Sequence, residues 1–272
     1  MSLATETGRR QFDWVPERLV AGLLGGLLVV GFALPFVAFL WRAGSVTVWQ
    51  TLAEPATRTA IRNSLLTAPV ATGIATALGV PLAYVLARAS FVGKRVVEAL
   101  VILPLVVPPV VGGALLLSVV GRFTPLGAAA ASAGVPLTDS LLGVILAQTF
   151  VAAPFVVITA RAGFAAVDER LEQASRSLGH GPIATFTNVS LPLARGAIVA
   201  GIVLTFARAT GEFGATMMVA YNPRTMPTQL WVAFISGGID AIVPLAVALL
   251  TITLAVLALV RRVARVPTVV DA

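Results

Sequence analysis

Arg208 and Glu212 are charged residues four positions apart inside an apolar run. On a helix that spacing sets a guanidinium beside a carboxylate, so the pair can neutralise itself. A charge at the centre of a bilayer costs at least ~2.5–3.5 kcal/mol, and it therefore has a partner or faces water. Two readings stay open: Arg208 lines a pathway and favours an anion, or the ion pair fixes helix packing. Gly211 lies between the two charges and Gly214 follows them; together with Gly201 they permit close helix approach. A second irregular point is Pro108-Pro109, preceded by Leu103-Pro104. Prolines this close together kink or unwind a helix, and backbone freed at membrane depth survives only if it is buried or lines a cavity. Arg208, Gly211, Glu212, Gly214, Pro108 and Pro109 are the candidate pathway or gate residues.

Other chemistries lack their residues. There is no cysteine, so thiol, disulfide and cysteine-metal chemistry are excluded. The one histidine, His180, sits between Gly179 and Gly181 and reads as an exposed loop residue; a metal site is not expected. No Gly-x-x-x-x-Gly-Lys-Ser/Thr phosphate loop occurs, so the chain does not hydrolyse ATP by itself. A membrane enzyme would need titratable groups clustered at one depth, yet only Arg208 and Glu212 lie clearly within an apolar run. No catalytic residue is assigned. The net charge of +7 comes from scattered residues without interleaved aromatics, which argues against nucleic acid as a partner.

The elements that must position these residues are membrane helices. The 272-residue chain is 58% apolar and 11% charged, against about 25% charged in soluble domains, and its mean hydropathy is +0.95. Six apolar runs approach the roughly 20 residues a bilayer needs: about 19–40, 64–86, 96–119, 141–160, 196–220 and 239–260. The first is too long for a signal-peptide core. Every basic residue except Arg42, Arg58, Arg62, Arg122, Arg208 and Arg224 falls on the side that bears the N-terminus. The positive-inside rule then puts both termini in the cytoplasm, with a short segment 1–18 before the membrane domain 19–260 and a tail 261–272 after it. Trp41, Trp49 and Trp231 fall near outer ends of spans. Lys94-Arg95 suits anionic lipid as well as a plain positive-inside loop.

The same topology makes 161–195 a cytoplasmic loop, and it is the most polar stretch of the chain. Phe164, Val167, Leu171, Ala174 and Leu178 recur at helical spacing against a charged face. Gly179 and Gly181 supply a C-cap and turn, and Pro182 suits the first position of a second short helix, about 182–188.

Within that loop Gln173-Ala174-Ser175, three residues, Gly179, nine residues, then Val189-Ser190-Leu191-Pro192 resembles the signature Glu-Ala-Ala, three, Gly, nine, Ile-x-Leu-Pro of ATP-binding-cassette importer permeases. Gln173 stands where that family has Glu, with Glu172 one residue earlier. Further stretches resemble the molybdate/tungstate branch and the related sulfate permeases: Gly79 to Tyr84 with Ala87-Arg88 and Gly93-Lys94, Leu103 to Val111, and Phe206 to Ala220. The likeness runs over about 63–260. It implies a type I importer fold of six transmembrane helices in the cell membrane, two copies paired around a central pathway, two ATPase subunits docked on the loop, and an external oxyanion-binding protein. The coupling residues it implies are Glu172, Gln173, Ala174, Gly179, His180, Gly181, Pro182, Leu191 and Pro192. ATP and Mg would belong to the ATPase, and membrane lipid would surround the chain. Because Gln173 replaces the acid, the ATPase contact is expected to rest on the Gly179 hinge more than on a charge pair. The expected cargo is molybdate or tungstate, with sulfate or thiosulfate as the alternative. A secondary transporter or channel independent of an ATPase is the alternative of another class, though no internal repeat of the kind common there is evident.

Overall fold

A computed structural model describes residues 15–43 and 48–264 of the chain. Most of the expected terminal segments, 1–14 of the first and 265–272 of the last, lie outside it. The described residues form α-helices and one π-turn, with no strand. The chain divides into two compact units, 1–46 and 47–272. The first holds helix α1, Val15–Ala43. Its stretch Leu19–Arg42 has a mean hydropathy of 2.5 and is long enough to cross the hydrocarbon of a bilayer.

The second unit runs α2 (Val48–Ala53), α3 (Pro55–Arg88), α4 (Lys94–Val106), α5 (Pro109–Val120), α6 (Pro125–Ser132), α7 (Leu141–Ala165), α8 (Glu169–Ser177), α9 (Pro182–Thr185), a π-turn (Phe186–Ser190), α10 (Leu191–Thr210), α11 (Gly214–Val219) and α12 (Met226–Ala264). Among the described residues five helices are long and apolar enough to cross a membrane, or six if α5 and α6, bent by 67°, count as one span.

At the centre of this unit α7 packs against both α3 and α10. The buried face of α3 is built from small residues at helical spacing, Ala60, Ser64, Ala68, Ala71, Ala75, Gly79 and Ala83, which lets helices approach closely without a hydrophobic drive from lipid. Ala75, Val80, Val156, Ala160, Phe164 and Ile198 form one core, and Ala68, Ala152, Phe206 and Ala209 a second. A Cβ on Gly201 would come within 2.0 Å of the Thr159 hydroxyl and 3.0 Å of Val156 Cα. At its opening end α3 also grips the segment before α12: Asn63 donates to the Arg224 carbonyl at 2.8 Å, and the Ser64 hydroxyl accepts from Met226 N–H at 2.8 Å.

Two expected spans are not single straight helices. The run 96–119 is divided into α4 and α5, as its prolines led one to expect. Val107 and Pro108 are extended, with ψ 132° and 135°, since each precedes a proline and is pushed out of the helical region. Pro109 then starts α5, where its missing N–H is no loss. The run 196–220 is corrected more strongly. Its helix starts back at Leu191, joined to the loop through the π-turn, and stops at Thr210; α11 is a separate short helix. Pro192 has no N–H to continue an α-helix, and Leu191 N–H instead reaches five residues back to the Phe186 carbonyl. The expected span 239–260 follows a kink of α12 at Gly238 (φ 69°), a backbone state glycine adopts freely.

Short contacts hold α11 against α5 and α7. A Cβ on Gly113 would lie 2.7 Å from Met218 Cβ and 2.9 Å from the backbone of Ala215. Gly113→Ala is expected to destabilise the chain by about 1–3 kcal/mol through overpacking, read as a lowered melting temperature in detergent. Gly196→Ala on α10 meets open space and is expected to be neutral or to stabilise by up to about 1 kcal/mol.

Candidate functional site

The loop between α7 and α10 is organised around one carboxylate. Glu172 is 4% exposed. Its Oε1 accepts from Arg88 Nε at 3.0 Å and from the Ser190 hydroxyl at 2.8 Å, and its Oε2 accepts from the Tyr84 hydroxyl at 3.3 Å. Arg88 also donates to the Val167 carbonyl at 2.8 Å, and Glu169 lies 3.7 Å from its guanidinium. Tyr84, Phe164 and Phe186 pack edge-on or tilted beneath this junction at centroid distances of 4.8–5.9 Å. The last two turns of α3, the helix α8 and the π-turn thus meet on Glu172. A buried carboxylate needs this set of donors, because leaving one lone pair or charge unmatched costs more than any single bond returns.

Helix α8 follows from its ends. Asp168 caps it by accepting from Arg170 N–H at 2.9 Å. It closes in a Schellman motif: Gly179 N–H donates to the Arg176 carbonyl at 3.0 Å and His180 N–H to the Ser175 carbonyl at 3.2 Å. Gly179 carries the positive φ of 89° that this motif needs. The Ser175 and Thr185 hydroxyls, both buried, meet at 3.2 Å and fasten α8 to α9. Gly181 has an ordinary φ of −70° and is the N-cap of α9, with Pro182 at its first position.

Sequence periodicity misjudged part of this loop. Phe164 belongs to α7 and Val167 to a turn, so the five apolar residues do not share one helix. Leu171 and Leu178 are 48% and 81% exposed, and Ile183 is 80% exposed. These three make an apolar surface around the Gly179 bend, with exposed Gln173, Ala174 and His180 beside it. Leu191 and Pro192 lie behind the surface in the first turn of α10. The buried acid is Glu172, one place before Gln173. It points inward to Arg88. Arg88 and Tyr84, four residues apart at the end of α3, complete the site; that spacing was the available signal for them.

Arg208 and Glu212 do form an ion pair, but not along one helix. Gly211 ends α10, and Glu212 stands in the break before α11. Its side chain is fully buried. One oxygen accepts from Ala215 N–H at 2.7 Å and so caps α11; the other touches the Arg208 guanidinium without hydrogen-bond alignment. Gly214 brings the backbone against α5, where its Cβ would be 2.9 Å from Pro109 Cβ. Glu212, Gly214 and Pro109 therefore sit at one junction of two broken helices, with Arg208 one turn back on α10. Pro108 is exposed at the start of α5, and Gly211 is exposed at the end of α10. The buried Gln148, Thr205 and Thr216 carry side-chain atoms without a hydrogen-bond partner, and the sequence reading passed over all three. Among the described residues no three His, Asp or Glu side chains group as metal ligands.

Residues 79–266 match the family model described as binding-protein-dependent transport system inner membrane component. The chain is 48% identical over 238 residues to a probable molybdenum ABC transporter permease protein of Haloferax volcanii, covering 88% of this chain and 87% of that one. It is 40% identical over 240 residues to the molybdate/tungstate transport system permease protein of Thermococcus kodakarensis, covering 88% and 92%. A chain of a bacterial alginate ABC transporter, crystallised with an alginate-bound periplasmic protein, superimposes with a TM-score of 0.72 at 15% identity, over 92% of this chain and 96% of that one.

The Glu172 junction is open to a double-mutant test. Glu172→Gln takes the nearer of two carboxylates from the Arg88 guanidinium, whose side chain is 12% exposed, and is expected to cost about 1.5–3 kcal/mol, read as a fall in melting temperature. Arg88→Met combined with Glu172→Leu is expected to recover most of that loss, since an apolar pair of similar size replaces buried ions nearly without cost. Absence of recovery would show that the bonds from Tyr84 and Ser190 hold the loop.

Proposed function

The chain belongs to the binding-protein-dependent transport system inner membrane component family, and on that premise we propose that it is the permease subunit of an ATP-driven importer of molybdate or tungstate. It is a multi-pass membrane protein of the cell membrane, a transport subunit and not an enzyme. The observation that carries the cargo is the identity of 48% and 40% to molybdenum and molybdate/tungstate permeases over 88% of the chain. Sulfate is the weaker reading.

The loop geometry supports the coupling half of the proposal. An ATPase subunit docks on the exposed surface of Leu171, Leu178, His180 and Ile183, on the cytoplasmic side by the positive-inside rule. Two copies of the chain pair around the pathway, each holding one ATPase, and a binding protein delivers the oxyanion from outside. ATP and Mg stay with the ATPase. Movement at the docking surface passes to α3 through Glu172 and Arg88, and to α10 through Ser190 and the continuous π-turn. A permeation path for a dianion has to bind it weakly enough to release it. Arg208, neutralised by Glu212, meets that need, while Glu212 holds the start of α11. The pair therefore fixes the helix break next to the pathway.

Two measurements test this. Gly179→Val forces a β-branched residue to positive φ, although its Cβ meets no neighbour. With the ATPase and binding protein in vesicles, it is expected to leave membrane insertion and ATP hydrolysis in place and to lower uptake by about tenfold, the effect of ~1.4 kcal/mol at the docking step; normal uptake would remove the bend from the coupling path. Calorimetry of the cognate binding protein is expected to detect molybdate and tungstate. Binding of sulfate alone would overturn the cargo.

A further inference from the structure

Two cavities lie end to end along α4. One, of about 260 Å³, opens between α3, α4 and α7, with Leu78, Leu82, Leu100, Pro104, Phe150 and Pro154 in its wall. Thr149 supplies the only polar side chain among its lining residues. The other, of about 540 Å³, surrounds the first turn of α4 and holds Lys94, Arg95, Arg161 and Glu98. They share helix faces. Glu98, Val101 and Pro104 follow one another at i, i+3 on α4, and Arg161, Val157, Pro154 and Phe150 return at four- and three-residue steps on α7, so each series forms one stripe. The rise from Arg95 to Pro104 is ~14 Å, enough to run from a polar head well into hydrocarbon.

The basic end carries an excess of positive charge. Arg161 pairs with Glu98 at 2.8 Å. Lys94 donates to the Ala89 carbonyl at 3.0 Å, a contact that leaves its charge uncompensated, and Arg95 is exposed. The apolar end cannot host an oxyanion in transit, because one hydroxyl does not replace a hydration shell. It matches a hydrocarbon chain, and its basic mouth matches a phosphate.

We propose that this paired groove binds an anionic phospholipid, with its phosphate among Lys94, Arg95 and Arg161 and one hydrocarbon chain between α3, α4 and α7. A zwitterionic lipid fits less well, since its ammonium would face Lys94 and Arg95. The site does not depend on which ion is carried.

Native mass spectrometry of the full chain in detergent, with phosphatidylglycerol, phosphatidylcholine or sn-glycerol 3-phosphate added, tests it. Phosphatidylglycerol is expected to be retained at least fivefold over phosphatidylcholine, and glycerol phosphate not at all. Arg95→Gln is expected to lower phosphatidylglycerol retention about fivefold, and Lys94→Gln with Arg95→Gln about 25-fold. Leu100→Trp, which fills the groove from the exposed face of α4, is expected to lower it about tenfold without changing the melting temperature measured in the absence of lipid. Equal retention of both lipids, retention of glycerol phosphate, or unchanged retention in Leu100→Trp would overturn the proposal. The chain has no cysteine of its own, so Leu100→Cys reports the occupant directly. Labelling by a lipid-soluble maleimide supports a lipid-facing groove, and a disulfide between two copies would place it in a protein interface and overturn the assignment.

Discussion

A single buried carboxylate determines how the loop can sit on the membrane helices. Glu172 collects three donors from two separate elements, α3 and the π-turn, onto the inward face of α8. Each donor would be costly to bury alone, and the acid would be costlier still. Together they leave α8 one position and one rotation. Leu171 and Leu178 then face outward, since the inward face of α8 is taken by Glu172 and Ser175. The exposed apolar face of α8 is thus a by-product of satisfying a charge.

The broken helices obey a related logic. Where α11 starts after the break, its first N–H groups need acceptors at membrane depth. Glu212 supplies one by capping α11, and the nearby Arg208 limits the cost of keeping that acid charged. The partner break, between α4 and α5, needs no charge, because proline has no N–H to satisfy. The two breaks meet where Gly214 lies against Pro109, an approach that a side chain on Gly214 would prevent. Charge, cap and missing Cβ are therefore one design at one point.

Much of this was readable from the chain, and the exceptions have physical causes. Membrane helices were legible because apolar runs of bilayer length leave little choice, and the break before Pro108 because two consecutive prolines force extended backbone. The end of α10 was not, since Gly211 is common inside membrane helices and only the cap from Glu212 to Ala215 reveals a stop. In the loop, periodicity finds helical sequence around Leu171 and Leu178 but does not tell which face packs inward. Apolar spacing points inward only if the apolar face is the buried one, and here a buried acid reversed it. The shift from Gln173 to Glu172 has the same origin: a motif aligns positions, whereas only the packed structure tells which of two adjacent residues faces in.

Helix α3 has 34 residues and is therefore ~50 Å long, well beyond the thickness of hydrocarbon it crosses. It stays continuous through Pro69 and Pro81. Its last turns hold Glu172 through Tyr84 and Arg88; Asn63 and Ser64, about two turns in from its start, hold Arg224 and Met226. A rod clamped at two places cannot tilt at one without moving what it grips at the other. Four side chains therefore join the loop to the Arg224–Met226 segment through one unbroken helix, ~37 Å from Asn63 to Arg88.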